Sequence, residues 1–296
     1  MTPIGPSPAE TQLPQFATTI REVADLGLEF YLASNESLLP HLNTAPFGQQ
    51  LRWIDFTRPA EQAWDTQEFL NLFNVINGIA FGDRGIPMPQ WVMVDLILMP
   101  SAAVVAAVSQ DTFAGLLSNP RLENVRHHLL AVQEGMRGGG YDGPVPIGGY
   151  CAAPSAAPGT WVGWSLWSMM TGVGLGRAVK ALALAAYRAQ RLDGVTQYDN
   201  SALKVHTQFG QTRIMVATVP FHTSPGSFVY ENDLTLPIDE RKHEPTFLLD
   251  PFDYERQRAM QKTIETGEAD FYVLSPGHVV DRGAAAVPIL EVPRNH

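Results

Sequence analysis

The chain is short of cysteine, of charge and of unbroken apolar runs. Its single cysteine, Cys151, excludes an intramolecular disulfide and any cysteine-rich zinc site. No apolar run reaches membrane-spanning length without a proline, a glycine or a charge. Charged residues are 17% of the 296, and 20 Lys and Arg against 30 Asp and Glu give a formal net charge of −10. No basic cluster interrupts that balance, which argues against nucleic-acid binding, because phosphate contacts need grouped cations. The N-terminal stretch holds Pro3, Pro6, Pro8, Glu10 and Pro14 and has neither a basic nor an apolar leader region, so no secretory signal is read there. A soluble, cytoplasmic protein with no membrane partner is the expectation.

What the chain does have is a glycine-rich turn between two patterned segments. Thr160-Trp161-Val162-Gly163-Trp164-Ser165-Leu166-Trp167 is apolar and aromatic and reads as a strand, with indoles on both faces. Ala178 to Arg191 is rich in Ala and Leu and reads as a helix. Between them runs Thr171-Gly172-Val173-Gly174-Leu175-Gly176-Arg177. Glycines there let the backbone turn tightly, so that unpaired amide N–H groups converge at a helix N-terminus carrying about half a positive charge. That is a place to hold a phosphate or diphosphate. The spacing departs from the dinucleotide fingerprint, since Arg177 stands three residues after Gly174. No Lys-Ser/Thr pair follows, as a nucleoside triphosphate loop requires.

Downstream, Gly194 to Tyr198 is β-prone, Asp199 to Gly210 reads as a helix capped by Asp199 or Asn200 and closed by Gly210, and Gln211 to Val219 reads as a strand. From Trp161 to about Val219 this order resembles the acyl-CoA-binding half of the GNAT N-acetyltransferase superfamily. That family carries Q/R-x-x-G-x-G/A at the strand-to-helix turn; Gly174 and Gly176 match its glycines, and Thr171 stands where Gln or Arg is usual. A later family motif, N-x-x-A-L-x-x-Y-x-x-x-G-F, is met in part by Asn200, Ala202, Leu203 and Gly210, with His206 at the tyrosine position.

The resemblance implies an α+β fold, a GNAT-like mixed and mostly antiparallel sheet flanked by helices, with splayed strands forming an acyl-CoA cleft. It implies acetyl-CoA or another acyl-CoA as cofactor, held by Trp164, Ser165 and Leu166 on the strand, by Thr171, Gly172, Val173, Gly174, Leu175, Gly176 and Arg177 at the turn, and by Asn200 and Leu203. It implies a small-molecule amine as acceptor and admits a homodimer. His206 would be the general acid. No carboxylate lies between Trp161 and Met170, which leaves Asp95, in the strand-like run Trp91 to Leu98, as the candidate base. Two other outcomes stay open: a CoA-ester-binding or protein-interaction module without transfer, and other acyl-CoA chemistry such as decarboxylation.

Around this half the sequence suggests three regions: a flexible arm over 1–15, a GNAT-like domain over 16–219, and a C-terminal extension over 220–296 packed on or near the acceptor side. Asp65 and Glu68 form a capping box ahead of a helix, Ala102 to Val108 and Val145 to Ala153 read as strands, and Pro120 to Gln133 as a helix. Met136 to Gly143 reads as a flexible loop, Tyr254 to Glu268 as a helix and Ala269 to Val273 as a strand. Gly163-Trp164-Ser165-Leu166-Trp167 lacks the second glycine of a nucleophile elbow, which speaks against a serine hydrolase. Cys151 reads as a small buried residue. His127 and His128 point apart on a helix, and His222, His243 and His278 lack ligand spacing, so no metal is expected.

Overall fold

The computed structural model describes residues 6–48, 50–53, 66–82, 99–138, 143–220, 226–236, 244–274 and 286–294. Trp91 to Leu98, and Asp95 with it, lie outside them, as do Asp65, His222, His243 and His278. The chain forms two units, Met1–Pro154 with Ser165–Arg188 and Ser155–Trp164 with Ala189–His296. The sequence reading set its boundaries at residues 15 and 219. The chain passes between the units within one strand, β5 (Thr160–Ser168), and again after Arg188.

In the first unit four strands stand in the order β2 (Leu51–Trp53), β1 (Glu29–Ser34), β3 (Ala102–Val108) and β4 (Val145–Pro154). β2 runs parallel to β1, and the other two pairings are antiparallel. All seven residues of β3, Ala-Ala-Val-Val-Ala-Ala-Val, are buried, as a strand covered on both faces requires. Helix α6 (Leu175–Ala186) packs on β3 and β4. Ten of its twelve residues are buried, because α1 (Pro8–Gln12) and α2 (Ala17–Ala24) cover its outer side. Helix α5 (Arg126–Gly138) packs against β4 and α3 (Thr66–Phe81). The helix expected over 120–133 starts as a 3-10 turn, Pro120–Val125, before α5; α4 (Gln110–Leu117) precedes it, capped by Ser109.

Residues 8–24, of which the sequence assigned most of the first half to a flexible arm, are helical for a local reason. Ser7 Oγ accepts from the Glu10 N–H at 3.2 Å, and the Glu10 carboxylate accepts from the Ser7 N–H at 2.7 Å, with Pro8 at the first helical position. Glu10 also accepts from Asn43 Nδ2 at 2.9 Å and lies 3.8 Å from Arg188 Nε. The Asn43 N–H donates to the Ala186 carbonyl at 2.7 Å, which satisfies the C-terminal end of α6. Arg188, at φ 51°, takes the chain out of that helix, so α6 ends before the expected Arg191, where β6 already begins.

In the second unit the first part of β5 pairs in parallel with β6 (Arg191–Gln197), and β6 is followed by β8 (Ser227–Asp233), β7 (Gln211–Val216), β10 (Ala269–Val273), β11 (Val287–Pro293) and β9 (Phe247–Leu249), every later pairing being antiparallel. β8 comes from the segment read as an extension, yet it lies between β6 and β7 and bonds to both. Tyr198, Ile214, Phe228, Tyr230, Phe271 and Ile289 build the core, and helix α8 (Tyr254–Thr266) packs on β10. The parallel ladder has four rungs, Thr160↔Arg191 to Gly163↔Gly194, after which β5 runs on to Ser168 and β6 to Gln197. The architecture is thus α+β, with mostly antiparallel sheet flanked by helices.

Candidate functional site

The turn after β5 has the geometry its glycines predict. Gly172 and Gly174 sit at φ 84° and 81°, the left-handed region where a side chain is strained, and Gly174 is the N-cap of α6. The first bond within α6 runs from the Ala178 N–H to the Gly174 carbonyl at 2.9 Å. By helix geometry the amides of Leu175, Gly176 and Arg177 then have no intrahelical acceptor. Gly176 is therefore the second helical residue, and the helix starts three positions before the expected Ala178 because Gly174 caps it.

This turn opens on a cavity of about 770 Å³ inside the first unit. Thr171, Gly172, Val173, Gly174 and Arg177 line it with Thr19 and Glu22 of α2, Asp25 at the C-cap of α2, and Asn119 and Asn124. Gly174 touches α2 closely, since a Cβ there would stand 2.6 Å from Thr19 Cγ2. Arg177 Nε is buried and has no hydrogen-bond partner among the described residues. The Leu175 side chain is turned away, onto Gly148 of β4, so that residue has only its amide to offer a ligand. Arg177 and the helix terminus favour an anion, and Glu22 and Asp25 at the rim oppose one. Sequence reasoning missed the α2 wall because it assigned no element to residues 17–24.

Trp164, Asn200, Leu203 and His206 belong to the second unit, whereas Ser165 and Leu166 belong to the first. The helix expected over 199–210 is one turn, α7 (Leu203–His206). Asn200 Oδ1 accepts from the Ala202 N–H at 2.9 Å, an Asx turn in place of a longer cap, and the Thr207 hydroxyl donates back to the Leu203 carbonyl at 2.8 Å. Gly210 is no helix cap. It sits at φ 127° beside β8, where a Cβ would meet the Asp233 carbonyl oxygen.

His206 is 5% exposed and paired with Tyr230 of β8, the Tyr230 hydroxyl standing 3.0 Å from His206 Nδ1 with ring centroids 4.9 Å apart. Gly194, on the last rung of the parallel ladder, makes room for this phenol, because a Cβ there would stand 2.6 Å from its oxygen. Burial, with help from Asp193, pushes the Tyr230 phenol well above its ordinary range, so it stays protonated. Sequence reasoning missed Tyr230, which lay beyond residue 219.

Two reactive side chains of the first unit are buried. Cys151 is 1% exposed on β4, and burial pushes its thiol up, away from the thiolate a nucleophile needs. Lys180, on α6, is fully buried 5.8 Å from the Tyr150 ring centroid, and burial drives its amine well below the usual lysine range. Among the described residues no three His, Cys, Asp or Glu side chains are grouped to hold a metal ion, and no helix is long and apolar enough to cross a membrane.

No protein-family model matches the sequence, and no curated protein matches it. Among solved structures, one similar chain is a GNAT-family protein from Desulfovibrio desulfuricans, provisionally assigned as an acetyltransferase, at 13% identity and a TM-score of 0.36, over 58% of this chain and 96% of that one. Another comes from the NatC complex bound to Gag peptide and CoA, at 14% identity and a TM-score of 0.35, over 55% of this chain and 91% of that one.

Proposed function

We propose that the protein is an acyltransferase that takes acetyl-CoA or another acyl-CoA and passes the acyl group to a small-molecule amine. The observation that carries this reading is the β5–α6 turn. Two glycines at positive φ bring a helix N-terminus and the buried, unpartnered Arg177 Nε to one cavity. A diphosphate fits that donor set: backbone amides bind its oxygens, and a guanidinium adds a charge-assisted bond.

Transfer forms a C–N bond and breaks the thioester C–S bond, so a proton must leave the amine and another must reach the departing sulfur. In this reading His206 and Tyr230 supply the second proton. In this reading Tyr230, 3.0 Å from Nδ1, donates to it, which leaves the imidazole its own hydrogen on Nε2. Asp95 is the residue offered as base for the amine. A module that binds CoA esters without transfer is favoured by one observation, the 5% exposure of His206.

Calorimetry with CoA and thiol release from acetyl-CoA, on wild type, Gly174→Glu and His206→Ala, separate the readings. Transfer predicts that Gly174→Glu loses CoA binding, while His206→Ala keeps it and loses about ten- to a thousandfold in turnover. A binding module predicts the same loss in Gly174→Glu with no turnover in any protein. Unchanged CoA affinity in Gly174→Glu overturns both.

A further inference from the structure

Two buried hydrogen-bonding groups on β5 are left unused. Ser165 and Trp167 are 6% and 3% exposed, and neither Ser165 Oγ nor Trp167 Nε1 has a hydrogen-bond partner among the described residues. They stand two residues apart in one strand, so they share a face and lie about 7 Å apart along it. β4 fixes which face this is. Gly148 abuts Leu175 and Tyr150 stacks on Tyr187, so both look toward α6 and the residue that follows it. Gly149 therefore looks away from α6, and a Cβ there would stand 2.7 Å from the Trp167 indole. The unused groups thus belong to the face of the sheet opposite α6, whereas the glycine turn and its cavity stand at the N-terminus of α6.

A buried donor without an acceptor costs stability, and an alanine or phenylalanine of similar shape would not incur that cost. Two such groups in register on one face point to a ligand that supplies the missing oxygens. Both groups are neutral, and the indole can only donate. A carboxylate or phosphate would be better met by a charged donor, so the matching ligand atom is a neutral oxygen.

Resting on the acyltransferase reading, we propose that Ser165 Oγ–H and Trp167 Nε1–H position the acceptor, and that this acceptor is an amine bearing a carbonyl oxygen, as in an amino-acid amide or the N-terminus of a peptide. A second substrate has reason to use this face. The other face holds the turn that takes the thioester's phosphates.

The experiment compares glycinamide and a dipeptide amide with ethylamine and propylamine as acceptors from acetyl-CoA, in wild type, Ser165→Ala, Trp167→Phe and the double variant. Wild type should prefer the amides by at least about tenfold in kcat/KM, and the double variant should lose that preference. The thermal midpoint of Ser165→Ala should hold or rise, because no folded-state bond is lost. A preference that survives in the double variant, no preference in wild type, or a lowered midpoint in Ser165→Ala overturns the proposal. Should no amine be acetylated, the acyltransferase reading fails separately. The Trp167 indole ¹H–¹⁵N resonance, identified by its absence in Trp167→Phe, then decides on binding alone: a shift with glycinamide and none with ethylamine sustains the site, and any other pattern removes it.

Discussion

Gly174→Ala and Gly172→Ala form a matched pair that tests how the turn is built. Both glycines sit near φ 80°, at 81° and 84°, so either alanine incurs the left-handed penalty of about 1–2 kcal/mol. They differ in surroundings: a Cβ at Gly172 meets nothing within 4 Å, whereas one at Gly174 would stand 2.6 Å from Thr19 Cγ2. Thr19 is β-branched and sits in the first turn of α2, so it cannot swing clear and the helix must shift. Overpacking of that kind costs a further ~1–3 kcal/mol. Gly172→Ala should therefore lower stability by about 1–2 kcal/mol and Gly174→Ala by about 2–5. Adding Thr19→Ser, which deletes the offending methyl, should bring Gly174→Ala back to the cost of Gly172→Ala. Urea unfolding reads this as a shift of midpoint at constant slope. Equal losses for the two alanines, or no recovery with Thr19→Ser, would refute the packing of α2 on the turn.

Arg177→Met should weaken CoA binding about ten- to a hundredfold by calorimetry, the worth of one charge-assisted bond, and leave the unfolding midpoint unchanged because Nε has no partner to lose. Glu22→Gln with Asp25→Asn removes the two carboxylates that line the cavity with the turn and should tighten CoA about two- to fivefold at low salt and little at high salt; equal affinity at low salt would place neither group near the bound anion. Asp270 accepts from Arg294 Nη2 at 2.6 Å and lies 3.7 Å from Arg213, and the Arg294 bond holds its carboxyl below the ordinary range. A carboxyl lowered in the folded state contributes stability above its unfolded value of about 3.9 and loses it as pH falls through the folded value. Asp270→Asn should thus lower the midpoint at pH 7 and leave it level with wild type in strong acid, with a smaller difference in high salt.

Much of the fold was readable where its causes are local. The Ala-Ala-Val-Val-Ala-Ala-Val run of β3 has no polar residue to face water, and the glycines at 172 and 174 announced a turn with positive φ. The capping box Ser7-Pro8-Ala9-Glu10 was equally plain in the sequence, but the surrounding prolines read as an arm. What fixes that segment is distant in sequence: Glu10 reaches Asn43 and Arg188, and α6 needs a cover for an outer face that is itself apolar. The helix over 199–210 failed for the opposite reason. Its apolar spacing is helical, yet Asn200 and Thr207 each bond to nearby backbone and shorten it to one turn.

The candidate site divides along the same line. The turn and Arg177, which line one cavity, lie within eight consecutive residues, so the sequence alone could propose them. The partner of His206 depends on strand order. Had β7 paired directly with β6, as its position next in the chain suggests, β8 would lie elsewhere and Tyr230 would not reach Nδ1. Because β8 is inserted instead, its register sets Tyr230 opposite Gly194, and only a glycine there leaves space for the phenol. His206 and Tyr230 are thus linked through a third residue: Gly194→Ala should push Tyr230 off His206 with neither of those two residues substituted. That makes the missing Cβ of Gly194, like that of Gly149 under Trp167, a determinant of where a donor can stand.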